Sequence, residues 1–149
     1  MMEAVLFCGI QATGKSTFYK ERFFNSHIRI SLDLLRTRHR ENLFLQACLS
    51  SQQPFVIDNT NVTKAERARY VTLAKAAKYN VICYYFQSKI ADALERNAQR
   101  NGKARIPELG VKGAFNRLEL PSNDEGFDRI YYVEITDAGF QEKEWQDEI

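Results

Sequence analysis

Gly9-Ile10-Gln11-Ala12-Thr13-Gly14-Lys15-Ser16-Thr17 follows the apolar run Ala4-Val5-Leu6-Phe7-Cys8, and from Lys15 to about Phe24 the chain reads as a helix. The nine residues fit G-x-x-x-x-G-K-[ST]. A buried strand, a glycine loop and a helix in that order turn the pattern into a phosphate-binding loop. Gly9 and Gly14 admit backbone conformations that a Cβ would penalise. The loop can then aim its N–H groups inward as a nest for anionic oxygens, and the helix adds the positive end of its dipole. Lys15 is expected to reach the β- and γ-phosphates, Ser16 to ligate Mg²⁺ and Thr17 to contact a neighbouring phosphate. All nine residues are therefore assigned to a nucleoside triphosphate. The competing account is a chance match in a turn before a helix.

Outward from that loop, short apolar segments alternate with helical ones. Strands are expected at Ala4–Cys8, Ile28–Ser31, Pro54–Asp58, Val81–Phe86 and Arg129–Ile135. Most are near-continuously apolar, as strands covered on both faces are. Helices are expected over Thr63–Lys78, opened by Thr63-Lys64-Ala65-Glu66 with Ala68, Val71 and Ala74 on one face, and over Ser88–Arg100 with Ile90, Leu94 and Ala98. Pro107 opens another, with Val111, Phe115 and Leu118 as its stripe. The alternation implies an α/β fold: a P-loop NTPase with about five parallel strands flanked by helices, adenylate-kinase-like in arrangement. A single domain over 1–140 with a lid around 100–107, then an acidic tail over 141–149, is the expected organisation.

The composition agrees. A chain of 149 residues, 44% hydrophobic and 27% charged, suits one folded domain. It has no apolar run long enough to span a membrane and no secretory pattern at its start. Cys8, Cys48 and Cys83 have no metal spacing and read as reduced thiols of a cytoplasmic protein. Nothing calls for an obligate protein partner. The net charge is +2, but Lys143 against Glu142, Glu144, Asp147 and Glu148 leaves the tail at −3 and residues 1–140 at +5. The positive charge gathers at Arg36, Arg38 and Arg40, and again at Arg96, Arg100, Lys103 and Arg105. Such clusters suit a polyanion, and equally a solvated basic face.

In open α/β sheets ligands sit beyond the carboxyl ends of the strands. Asp33, just past the second strand, is placed to accept a proton from an attacking hydroxyl, with Arg36 three residues on to hold a substrate phosphate. The plainer account of Asp33 is a helix cap. Asp58 ends Phe55-Val56-Ile57 in the manner of a Walker B acid and is assigned to the metal, with capping of the Asn59–Asn61 turn as the alternative. Arg96 and Arg100 flank the lid loop, and both are assigned to the nucleotide. Arg100 is chosen as the arginine acting on the phosphates, while Lys103 and Arg105 read as surface charge.

Taken in order, these residues resemble the kinase domain of the 5′-hydroxyl polynucleotide kinases. The likeness rests on Val56-Ile57-Asp58-Asn59-Thr60-Asn61 with Arg67-Ala68-Arg69-Tyr70, on Arg96-Asn97-Ala98-Gln99-Arg100 with Lys103 and Pro107, and on Pro121 with Glu125-Gly126-Phe127. It covers about Val5 to Ile135. The resemblance implies ATP and Mg²⁺ as cofactors and the 5′-OH end of a nucleic acid as acceptor. It implies Lys15 and Ser16 at the phosphates and metal, Asp33 as general base, Arg36 on the acceptor's 3′ phosphate, and Arg100 as the lid arginine. Leu32 stands where that family often has arginine. No phosphatase or ligase domain lies within these residues, so no 3′-phosphatase activity is expected of them. A basic groove along Arg36, Arg38 and Arg40 would carry the acceptor backbone. Two rival readings keep the loop: a kinase of a small metabolite, nucleotide sugar or aminoacyl-tRNA hydroxyl, and a non-catalytic module that ATP merely orders.

Overall fold

A computed structural model describes residues 2–146. Asp147, Glu148 and Ile149 of the acidic tail lie outside the described residues. Six strands form one sheet: β1 (Glu3–Cys8), β2 (Ile28–Ile30), β3 (Phe55–Ile57), β4 (Asn80–Phe86), β5 (Arg129–Thr136) and β6 (Gly139–Glu144). Their order is β2-β3-β1-β4-β5-β6. The first five pair in parallel, with Leu6 opposite both Ile57 and Cys83. The helices are α1 (Lys15–Arg22), α2 (Leu32–Leu35), α3 (Arg38–Ser51), α4 (Lys64–Ala76), α5 (Ile90–Ala98) and α6 (Glu108–Arg117). No helix among the described residues is long and apolar enough to cross a membrane.

The sheet is covered on both faces, and the side-chain period of two divides β1 between them. Ala4, Leu6 and Cys8 join Leu45, Tyr70, Val71, Ala74 and Tyr79 beneath α3 and α4. Val5 and Phe7 face Phe18, Tyr19 and Phe23 of α1 and the segment after it. The rings of Phe7 and Phe86 are 4.9 Å apart, and those of Phe18 and Phe86 are 5.3 Å apart, both edge-on as the aromatic quadrupole prefers. A smaller cluster of Ile10, Val62, Ala93, Val111 and Ala114 fastens α5 and α6 to the phosphate loop.

The five expected parallel strands are all present, and β6 adds a sixth at the β5 edge. This strand pairs antiparallel with β5, Ile135 opposite Phe140, so Gln141–Glu144 belong to the sheet rather than to a separate tail. Its charges belong to an exposed edge strand, where they discourage further strand pairing. Trp145 packs edge-on against Tyr85 at 5.4 Å.

Val71, Ala74 and Val111 are buried as expected, but each of the three helix stripes departs from expectation at one position. Ala68, Ala98 and Phe115 are exposed, whereas Arg67, Asn97 and Ala114 are buried. On α4 and α5 the buried position is polar, which hydropathy does not indicate and which is acceptable because a partner receives the arginine and the asparagine; on α6 the smaller Ala114 is buried in place of Phe115. Thr63 does cap α4 by accepting from the Glu66 N–H. Ser88 does not open α5. It turns inward, accepting from the Ile10 N–H and donating to the Phe86 carbonyl.

Candidate active site

The carboxyl ends of β1, β2 and β3 open on one cleft of about 830 Å³, within the range of ligand pockets. Lys15, Ser16, Asp33, Arg36, Asp58 and Arg100 all line it. Arg100 and the acid beyond β2, 67 positions apart in the chain, thus face one space. Lys103, read from sequence as surface charge, lines it as well.

The loop is shaped from below. Gly14 caps α1 with φ near +93°, a left-handed conformation that suits glycine. A Cβ there would lie 2.8 Å from the Phe140 ring and 3.1 Å from Ile135, so the β5–β6 hairpin sits directly against the loop. Phe140 stacks edge-on against Phe18 at 5.2 Å, and Arg22 of α1 pairs with Glu142 of β6. Gly9 is required for space instead of backbone angle, since a Cβ would press on Phe86 at 3.0 Å. Gln11, Ala12, Gly14, Lys15, Ser16 and Thr17 line the cleft. Ile10 and Thr13 face the interior, with the Thr13 hydroxyl donating to the Ile10 carbonyl at 2.8 Å.

Lys15 folds back on its own loop. Its Nζ donates to the Gly9 and Ile10 carbonyls at 2.9 and 2.7 Å. Burial lowers its pKa to about 8; Asp58 and Asp33 oppose the fall and Arg100 adds to it. A bound polyphosphate supplies the missing counter-charge and raises the pKa again. Above about pH 8 the free lysine is losing its proton and the complexed one keeps it, so nucleotide binding takes up a proton and weakens as the pH rises. Calorimetry of ATP binding at pH 9 in two buffers of different ionisation heat is expected to show this uptake. Equal heats in both buffers would contradict it.

Asp58 sits beyond β3 with a buried side chain. Its Oδ2 accepts from Ser16 Oγ at 2.9 Å and from Arg29 Nε at 2.8 Å, and Arg29 Nη2 donates to Ser16 Oγ at 3.1 Å. One hydroxyl and one carboxylate are the donor set Mg²⁺ uses when phosphates and water complete its shell. No group of three or more acids, histidines or cysteines that could hold a metal occurs among the described residues. Ser16 and Asp58 therefore fit a cation carried in with the nucleotide.

Asp33 lies in the first turn of α2 and is exposed to the cleft. Its position is set from behind. Asn59 Oδ1 accepts from the Leu32 N–H at 2.9 Å, while Asn59 Nδ2 donates to Glu41 at 3.1 Å. Glu41 is fully buried and also accepts from Arg38, Arg69 and Tyr70 at 3.1, 3.0 and 3.0 Å. Arg38, assigned to substrate, thus sits on Glu41 and Tyr70 and is not among the cleft-lining residues. Arg36 ends α2 at φ 74°, a strained turn that brings it to the cleft.

Arg96, assigned to the nucleotide, donates to the Ala12 carbonyl at 3.4 Å and is not among the cleft-lining residues, while Arg100 donates to the Ala104 carbonyl at 3.3 Å. Buried Asn97 bonds both the N–H and the carbonyl of Ile106, clasping the 101–105 loop at its base. Asn97, Arg29 and Glu41 were missed by sequence reading. Arg29 and Glu41 fall in no recognisable spacing, Asn97 lies in a quoted stretch that gave it no role, and each is defined by a partner at least nine positions away or on another element.

Comparison with known proteins agrees with this architecture. The sequence profile of the AAA domain family matches residues 37–121, more than half of the chain. A bifunctional polynucleotide phosphatase/kinase of Schizosaccharomyces pombe is 26% identical over 135 residues, covering 88% of this chain and 33% of that protein. The chain therefore spans about a third of the length of that curated relative. Among solved structures, Chaetomium thermophilum Kti12 in complex with ADP-AlF3 superposes with a TM-score of 0.65 at 16% identity, covering 91% of this chain and 92% of that one. A gluconokinase from Sinorhizobium meliloti 1021 gives 0.63 at 17% identity, with 91% and 83% covered. On the extent of the profile match and on its P-loop kinase fold, this chain belongs to the AAA domain family.

Proposed function

We propose that this domain is an ATP- and Mg²⁺-dependent phosphotransferase that moves the γ-phosphoryl group to the 5′-hydroxyl end of a polynucleotide. The observation that carries the reading is the shared cleft: the phosphate loop, an exposed carboxylate, an acceptor-side arginine and a lid arginine all line it. The likeness to the S. pombe enzyme supports the choice of acceptor.

In this mechanism Lys15 leaves the Gly9 and Ile10 carbonyls to meet the β- and γ-phosphates. Ser16 and Asp58 would hold Mg²⁺, which would neutralise phosphate charge. Asp33 takes the proton from the acceptor hydroxyl as its oxygen bonds to the γ-phosphorus. The bond to the β–γ bridging oxygen breaks, and ADP leaves with that electron pair. Arg100 offsets charge on the equatorial oxygens, and Arg36 holds the phosphate next to the acceptor hydroxyl. Catalysis is thus largely positioning and charge neutralisation.

Incubation with γ-labelled ATP, Mg²⁺ and a panel of 5′-OH DNA and RNA oligonucleotides, 3′-mononucleotides and small alcohols tests the acceptor. Label is expected at the 5′ ends of the oligonucleotides, with binding that weakens steeply as salt rises. Label confined to a small alcohol would overturn the assignment. A small acceptor is the second reading, and one observation favours it: with Arg38 held on Glu41 and leucine at 32, Arg36 is the arginine beside Asp33 that lines the cleft.

A further inference from the structure

Arg29 leaves the middle of β2, an edge strand, and joins the two oxygens assigned to the metal. Its Nε and Nη2 engage Asp58 Oδ2 and Ser16 Oγ, and the hydroxyl itself donates to that same carboxylate oxygen. The Asp58 side chain is 2% exposed and that of Arg29 is 26% exposed. A carboxylate buried to this degree requires a counter-charge. Lys15 hydrogen-bonds backbone carbonyls, so Arg29 is the cation in direct contact with Asp58.

A guanidinium and a divalent cation cannot both sit against Ser16 Oγ and Asp58 Oδ2. Like charges would meet at contact distance, and the hydroxyl hydrogen already points at the carboxylate. We propose that Arg29 is a displaceable counter-ion that sets the divalent-cation demand of the site, holding Ser16 and Asp58 until a metal–nucleotide complex takes its place. The inference rests on reading that pair as the metal donors. Asp58 stays neutralised in both states, first by Arg29 and then by the metal. The edge position of β2 and the partial exposure of Arg29 leave the side chain a route of withdrawal toward solvent. The exchange penalises metal without nucleotide, since two protein oxygens alone must then displace a bidentate arginine.

The test is a Mg²⁺ titration of the binding of a fluorescent ATP analogue to the full chain, followed by anisotropy. Arg29→Gln is expected to lower the Mg²⁺ midpoint about tenfold, the size of an ordinary coupling between sites. Arg29→Lys keeps the charge without the fork and is expected to shift it less, in the same direction. In an Asp58→Asn background, Arg29→Gln is expected to shift the midpoint much less, because the ion pair is already gone and the hydrogen bond to Ser16 is what remains to break. Circular dichroism establishes that each variant is folded, and Arg29→Lys decides the matter if the glutamine variant is not. An unchanged or raised midpoint, in a parent protein that binds the analogue only with Mg²⁺, overturns the role of Arg29 and leaves the metal pair standing. Parent binding that ignores Mg²⁺ overturns both.

Discussion

Asp33→Asn is expected to bind ATP as the parent protein does and to transfer phosphate about a hundred- to ten-thousand-fold more slowly, the usual worth of a positioned general base. The carboxylate is exposed in the first turn of α2, so the amide removes a proton acceptor without emptying a packed site. A lowered kcat with an unchanged ATP dissociation constant separates a base from a nucleotide ligand. Lys15→Ala is the necessary companion. It removes the charge that the proposed mechanism brings to the donor phosphates and is expected to weaken nucleotide binding as well as turnover. If Asp33→Asn transfers phosphate at the parent rate, the acid beyond β2 is only a charge in the first turn of α2.

Arg67→Ala is expected to cost about 3–5 kcal/mol of stability, the penalty for breaking one side of a buried ion pair. Arg67 is fully buried on α4. Its Nε and Nη2 form a fork on Glu125 at 2.8 and 3.1 Å, and Nη1 donates to the Asn61 carbonyl at 2.8 Å. One side chain therefore joins α4, the loop after β3 and the turn before β5. Removing it strands the Glu125 charge, whose side chain is only 8% exposed. Since whole domains are stable by about 5–15 kcal/mol, the loss is a large share of the total. Urea denaturation is expected to show a lower midpoint at an unchanged slope. A double change of Arg67→Met with Glu125→Leu is expected to recover most of the loss, because no buried charge is left alone. A midpoint that stays put in the single variant would show that water reaches Glu125 and solvates it.

These two residues also mark how much could be read from the chain without coordinates. Asp33 was accessible because a short apolar strand ending in a polar residue is a local pattern, and strand ends in such sheets converge on one edge. Arg67 and Glu125 both lie in stretches quoted for the family resemblance, yet neither could be paired with the other. They are 58 positions apart, and an arginine on a helix looks solvated until its partner is known. Gly126 belongs to the same story: it holds φ near +99° with Val71 3.1 Å from where a Cβ would be. The β6 strand was hidden for a different reason. Its residues are polar because its outer edge is open, so alternation and hydropathy gave no sign of it.

Local order along the polypeptide was sufficient for the phosphate loop, the parallel strands, the helices at 63 and 107 and the carboxylates beyond β2 and β3, since each depends on neighbours a few positions away. Folding alone decided that Arg29 would close on Ser16 and Asp58, that Glu41 would gather Arg38, Arg69, Tyr70 and Asn59 behind Asp33, and that Asn97 would clasp the 101–105 loop. The physical reason is the same in all three. A polar or charged group can be buried only with a partner, and which partner reaches it is settled by how distant segments pack.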